Sequence, residues 1–145
     1  MTLINRENFS HDEVLQELKN IAQKLNIPIF ILSQLTTDLE RRKYKFPHLK
    51  DIREFKKHTF IDKILFLHRD YYYLRWNEPT KKAKETDEHF LKRHTDWEKQ
   101  CKEEEPVADI IVAKNSTGHT GIVFCSYNME RCEFDDLPQT YYDNL

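Results

Sequence analysis

The chain has 145 residues, of which 39% are hydrophobic and 33% are charged, and its formal net charge is −2. This length suits one globular domain, and the near-neutral charge excludes a chain that is basic throughout, so nucleic-acid binding would depend on local charge. The longest apolar run, residues 27–32, is too short to span a bilayer. Three cysteines without a CxxC pair and an N-terminus without a signal-peptide stretch predict a cytoplasmic location and no membrane contact.

The first predicted element is a helix from about residue 10 to residue 25. Ser10 and Glu13 have the spacing of a capping box, in which a hydroxyl and a carboxylate satisfy free amides of the first turn. Asn26 suits the end of the helix, and Pro28 prevents its continuation. The apolar residues between these ends recur at helical spacing: Val14, Leu15, Leu18, Ile21, Ala22 and Leu25.

A continuous apolar run, IPIFILSQL at residues 27–35, follows the helix. Its β-branched content predicts a strand that is buried on both faces in a parallel sheet. The run ends at the polar pair Ser33 and Gln34, and ligands of open α/β sheets bind at the carboxyl ends of strands. A second apolar run, KILFLH at residues 63–68, predicts a second buried strand.

Basic and aromatic residues are interleaved between these two runs. Residues 36–63 contain nine basic and five acidic residues, together with Tyr44, Phe46, Phe55 and Phe60. This composition is typical of a groove for single-stranded nucleic acid, where cations neutralise phosphates and rings stack on bases. The alternative is a solvated loop with a short amphipathic helix, and composition alone favours that alternative.

A charged segment at residues 76–106 is predicted to be mostly helical and to pack on the domain surface through Phe90 and Trp97. A partner helix is the alternative interpretation. The predicted contact seam repeats at alternating steps of four and three residues: Ala83, Asp87, Phe90, His94, Trp97 and Cys101.

Three further strands are predicted at VADIIVA, TGIVFCSY and RCEF. The loop NSTGHTG, at residues 115–121, links the first two of them and contains both glycines of the chain. We expect these glycines to supply positive φ in a tight reversal. No Lys-Ser/Thr pair follows Gly118 or Gly121, so the sequence has no P-loop. No metal site and no catalytic residue is predicted.

Five segments occur in a recognisable order: LKNIAQKLNIPIFILSQL, DIRE, IDKILFLHRDYYY, ADIIVAKNSTGHTGIVF and EF. Together they resemble the C-terminal RecA-like domain of replicative DNA helicases of the DnaB family, over about residues 13–75 and 107–135. The resemblance implies an α/β fold with a mixed sheet, in which parallel strands precede an antiparallel C-terminal hairpin. Residues 1–145 would form a single partial RecA-like domain with a charged helical insertion at about 76–106.

The resemblance also assigns roles to individual residues. In the family, the Gln of the SQL motif lies near the nucleotide γ-phosphate, and here it is Gln34. The family's DLRESG loop contacts the single-strand backbone; Asp51, Arg53 and Glu54 match it, and Lys56 replaces the glycine. The basic run before this loop then becomes a predicted DNA-facing region, which reverses the odds that composition alone gives. The predicted DNA-binding residues are Arg53, Glu54, Lys56, Arg41, Arg42 and Lys43.

The family's glycine loop supplies a lysine and an arginine finger to ATP on the neighbouring subunit. Lys114 matches the lysine, whereas Ser116 stands where the arginine would be. ATP and Mg²⁺ are therefore implied by the family only, and we expect no cofactor on this chain alone. Single-stranded DNA and a helicase-like or identical subunit are the expected partners.

The favoured function is a DnaB-type helicase-like protein that acts in DNA replication or on single strands and is inactive as an ATPase by itself. The alternative is a non-enzymatic protein-interaction module derived from a helicase domain. An unrelated small enzyme is the least favoured hypothesis.

Overall fold

A computed structural model of the chain describes residues 10–52 and 59–142. The chain divides into two compact units, which are residues 1–64 with 113–120 (the first unit) and residues 65–112 with 121–145 (the second unit). None of the described helices is long and apolar enough to cross a membrane. The elements are α1 His11–Leu25, α2 Asp38–Arg41, a 3₁₀ turn Leu49–Asp51, β1 Lys63–His68, α3 Asp70–Leu74, α4 Asp87–Glu104, β2 Val107–Asn115, β3 Gly121–Asn128, β4 Glu133–Asp136 and α5 Gln139–Tyr142.

The predicted first helix is confirmed, together with both of its ends. The Glu13 amide donates to the Ser10 hydroxyl at 3.3 Å, and the Ser10 amide donates to the Glu13 carboxylate at 2.7 Å, which is the reciprocal pattern of a capping box. These hydrogen bonds hold the pKa of Glu13 below its ordinary value. Asn26 ends the helix in the left-handed region, with φ of 52°. Leu15 is buried, and Lys19 forms an ion pair with Asp62 in the same unit.

The prediction of a doubly buried strand at residues 27–35 is wrong for the described structure. These residues have no regular secondary structure, and Phe30 is 88% exposed and Leu32 fully exposed. A strand exists only where neighbouring strands accept its hydrogen bonds. The four described strands pair among themselves, so none of them lies beside this segment.

The sheet of the described residues has the order β1-β2-β3-β4. β2 and β3 are antiparallel, and so are β3 and β4. β1 runs antiparallel to β2, because the Ser116 amide at the end of β2 donates to the Asp62 carbonyl before β1 at 2.9 Å. The predicted C-terminal hairpin strands are thus confirmed, whereas the predicted parallel part of a mixed sheet is absent from residues 10–52 and 59–142.

β1 is a strand, as predicted, but it is buried on one face only. Ile64, Phe66 and His68 are buried, while Leu65 and Leu67 are 54% and 63% exposed. This alternation follows from the period of two in a strand whose sheet has a single covered face. The other buried apolar residues of the sheet are Val107, Ala108, Ile111 and Cys125.

The glycine loop between β2 and β3 is present, but neither glycine has positive φ. The prediction that they supply left-handed backbone is therefore wrong. Gly118 is required for space instead, because a Cβ there would lie 2.9 Å from Asn115 Nδ2. That amide donates to the His119 carbonyl at 3.2 Å and so crosses the loop where a side chain at 118 would stand.

The charged segment is helical only in its second half, from Asp87 to Glu104. α4 packs on α3, and Trp97 Nε1 donates to the Leu74 carbonyl at 2.9 Å. Phe90 and Trp97 both flank the ring of His94 and are half-buried, as the predicted seam required.

The non-helical residues before α4 are held to it by a carboxylate. Glu85 accepts from Arg93 Nε and Nη2 at 2.7 and 2.8 Å, and from the Lys82 amide at 3.0 Å. These hydrogen bonds, with a third from His89, hold the pKa of Glu85 well below its usual range. The segment before α4 is thus tied to the helix by an ionised carboxylate, which explains its order without helical structure.

Candidate nucleic-acid interface

A buried carboxylate organises the basic segment that follows residue 35. The Asp51 side chain is 7% exposed and accepts from Arg42 Nη2 at 2.6 Å and from the His48 amide at 2.9 Å. The Asp51 carbonyl accepts from the Thr36 amide at 3.0 Å. One residue therefore fixes both ends and the middle of the loop at 36–51.

His48 completes this arrangement. Its Nδ1 lies 3.3 Å from the Asp51 carboxylate, and its Nε2 faces Arg42 Nη1. Because a guanidinium can only donate, Nε2 must accept, and the ring proton then resides on Nδ1, facing Asp51. Arg42 also donates to the Phe46 carbonyl at 3.3 Å. Arg42 is thus an internal brace of the loop.

The brace shapes one wall of a cavity of about 460 Å³, which is lined by Arg42, Lys43, Tyr44, Phe46 and His48. Tyr44 is 77% exposed, and the Lys43 ammonium lies 5.4 Å from the centroid of its ring. Arg41 and Lys43 are exposed, and neither forms an ion pair with a carboxylate of the described chain. They are the basic side chains of this loop that face solvent with their charge uncompensated.

The other predicted site residues are placed less informatively. Gln34 is exposed, in the segment without secondary structure. Lys114 is partly buried in β2, and its ammonium donates to the Ile61 carbonyl at 2.7 Å. Arg53, Glu54 and Lys56 lie outside the described residues.

Sequence reasoning assigned no role to His48 and matched Asp51 only as part of a motif. A usable signal was present in the charge pattern, because Asp51 is one acid within a segment of nine basic residues. A short carboxylate flanked by arginines and lysines in an apolar context is a strong candidate for a buried ion pair.

A second group of titratable side chains lies in the second unit. His68 is buried, and its Nε2 lies 3.0 Å from Asp70 Oδ1. Burial raises the pKa of both Glu104 and Asp109, and the nearby charge of Asp70 raises it further. Residues 10–52 and 59–142 contain no group of three or more His, Cys, Asp or Glu that could hold a metal ion.

The fold places this chain in a class. It is similar to a solved helicase-type ATPase domain, with a TM-score of 0.66 and 27% identity over 92% of this chain and 40% of that one. It is also similar to a solved DnaB-like replicative helicase, described with its interactions with primase, with a TM-score of 0.65 and 25% identity over 94% of this chain and 28% of that one. The chain therefore has an α/β fold like that of a helicase ATPase domain.

The family follows from the sequence comparison. The model of the DnaB-like helicase C terminal domain matches residues 4–136, and the chain belongs to this family. The replicative DNA helicase DnaB of Rickettsia bellii (strain RML369-C) is 34% identical over 130 residues, which are 89% of this chain and 25% of the relative. The chain spans about a quarter of the length of the curated relatives it matches.

Proposed function

We propose that this chain contributes to a replicative DNA helicase as part of its ATPase domain and that its basic loop contacts single-stranded DNA. One observation carries the proposal: the loop at 36–51 is braced by a buried Asp51 and exposes Arg41 and Lys43. It leads directly into Arg53, Glu54 and Lys56, which match the family's DNA-contacting motif. Exposed cations on a fixed loop are suited to phosphates, which supply most of the affinity for single strands.

The nucleotide-sensing roles of Gln34 and Lys114 are proposals of the same kind. Lys114 is anchored by its hydrogen bond to the Ile61 carbonyl, so its ammonium has a defined position from which to approach an anion. A lysine that serves ATP on a neighbouring subunit requires that neighbour, and the proposal therefore includes a helicase-like or identical subunit as partner. The three cysteines are free thiols, which supports a reducing, cytoplasmic location.

The first test is the salt dependence of binding to oligo-dT. Replacing Arg53 and Lys56 together by Ala is expected to reduce the slope of log affinity against log salt by about 1 to 2, because each lost phosphate contact removes about 0.7 from the slope on single strands. Replacing Arg41 and Lys43 together should have the same effect. Fluorescence anisotropy with a labelled oligonucleotide, at several salt concentrations, measures both slopes.

The matched control changes the same charge elsewhere. Lys92 and Lys102 are exposed on α4, and their joint replacement by Ala should leave the slope unchanged. Undetectable binding at low salt, or equal slopes for all three double variants, would contradict DNA binding through this loop. The interaction-module function would then be preferred, since the exposed apolar residues Phe30 and Leu32 favour it. Light scattering with and without oligo-dT would separate the two.

The second test concerns ATP. We expect no measurable hydrolysis by the purified 145-residue chain, because its sequence contains no P-loop and has Ser116 at the arginine-finger position. A steady-state phosphate-release assay checks this expectation. Turnover that persists through purification and disappears in Gln34→Ala would show the expectation to be wrong.

A further inference from the structure

We infer that the cavity at residues 42–48 is a stacking subsite for one unpaired nucleobase, with Tyr44 as the stacking ring and Lys43 as the contact for the adjacent phosphate. This inference rests on the proposed function, because it names the chemistry of the same loop. It adds a base contact to an interface for which the resemblance implies backbone contacts.

The ring of Tyr44 is suited to a ligand and contributes little to the core. It is 77% exposed, so burial of the ring within the first unit cannot explain its position. Every base has a π-face, and an aromatic platform therefore binds single strands with little dependence on sequence. The Lys43 ammonium, 5.4 Å from the ring centroid, is close enough for a stacked nucleotide to reach both groups.

The walls of the cavity are fixed before any ligand arrives. Arg42 is held by Asp51 and by the Phe46 carbonyl, and the His48 amide is held by the same Asp51 carboxylate. Three of the five lining residues are thereby anchored to one buried group. A site whose walls are already ordered loses less conformational entropy on binding, which favours affinity.

The lining chemistry selects the occupant. The residues around the cavity are two cations, two aromatic rings and an imidazole, with no carboxylate among them. A flat, apolar ring that carries a phosphate complements this set in both shape and charge, and a nucleotide unit of a single strand is such a ligand. An acidic peptide shares the charge without the flat ring and is an outcome that the test separates.

The experiment compares two oligomers with the same number of phosphates, oligo-dT and an abasic oligomer, by fluorescence anisotropy at low salt. Tyr44→Ala should weaken binding of oligo-dT about tenfold and leave binding of the abasic oligomer unchanged, because only the base is stacked. Tyr44→Phe keeps the ring and should retain the affinity for oligo-dT. Trp76→Ala is the matched control: Trp76 is 72% exposed with the Arg75 guanidinium 5.2 Å from its ring, and it does not line the cavity at residues 42–48.

The outcomes separate this inference from the proposed function. If the unmodified chain binds neither oligomer, the proposed function fails. If it binds both equally and Tyr44→Ala changes neither, DNA binding stands and the stacking subsite is overturned. An equal loss for both oligomers in Tyr44→Ala, an equal effect of Trp76→Ala, or displacement of oligo-dT by poly-Glu as effective as that by unlabelled oligo-dT would also overturn it.

Discussion

Replacing Asp51 by Ala is expected to lower the free energy of unfolding by about 3 kcal/mol, since removing one partner of a buried ion pair leaves the other charge uncompensated. The Asp51 carboxylate is 7% exposed, and Arg42 is braced between it and the ring of His48. The same change releases the His48 amide, which then lacks its acceptor. Urea denaturation followed by circular dichroism measures the loss.

The matched control is Asp62, whose side chain is 63% exposed in an ion pair with Lys19 of the same unit. Asp62→Ala should cost less than about 1 kcal/mol, because exposed ion pairs contribute little. The double variant Asp51→Ala with Arg42→Met should recover part of the stability by removing both charges together. A loss in Asp51→Ala no larger than that in Asp62→Ala would show that the buried pair does not organise the loop.

Asp51 also links stability to the proposed interface. The cavity walls at Arg42 and His48 depend on its carboxylate, so Asp51→Ala should weaken binding to oligo-dT even though an acidic residue has been removed. Simple electrostatics predicts the opposite sign, since removing a negative charge near phosphate favours binding. The direction of the change therefore distinguishes a structural role from a purely electrostatic one.

Local features of the fold were predictable from the sequence. The α1 helix has its capping signal at Ser10 and Glu13 and its stop at Asn26, so every determinant lies within the element itself. The strands β2, β3 and β4 follow from β-rich runs joined by short loops, which pair with their neighbours along the chain.

Non-local features were not predictable in the same way. The run at 27–35 has the composition of a central strand, but composition cannot supply the neighbours that a strand requires. Leu65 and Leu67 suggested a doubly buried β1, although the described sheet covers only one of its faces. In both cases the residues specify a surface that fits a partner, and the partner lies elsewhere in sequence.

The candidate site was predictable by residue type and less so by role. Arg41, Arg42 and Lys43 are consecutive bases that the sequence cannot rank. The structure separates them, because Arg42 is turned to Asp51 while its two neighbours are exposed. Which base of a cluster serves the fold depends on the position of one carboxylate nine residues away, and that position is a property of the folded loop.

Arg69 holds three parts of the second unit together. Its guanidinium lies 4.4 Å from the centroid of the Tyr127 ring on β3 and 5.7 Å from that of Tyr71. Its Nη2 donates to the Glu105 carbonyl, just before β2, at 2.7 Å. The same side chain therefore combines cation–π contacts with a hydrogen bond to a backbone group at the end of α4.

Arg69→Ala is accordingly expected to lower the free energy of unfolding by about 2 kcal/mol, the sum of a partly desolvated cation–π contact and a charged hydrogen bond. Arg69→Lys should recover less than half of this loss, because an ammonium cannot lie flat on Tyr127 and also reach the Glu105 carbonyl. Arg75→Ala is the control, since Arg75 is exposed and its nearest ring, Trp76, is exposed as well. It should cost less than about 1 kcal/mol. Thermal and urea unfolding of the three variants measure these differences. Equal stability of Arg69→Lys and the unmodified chain would mean that charge alone, and not the planar guanidinium, joins the end of β1 to β3.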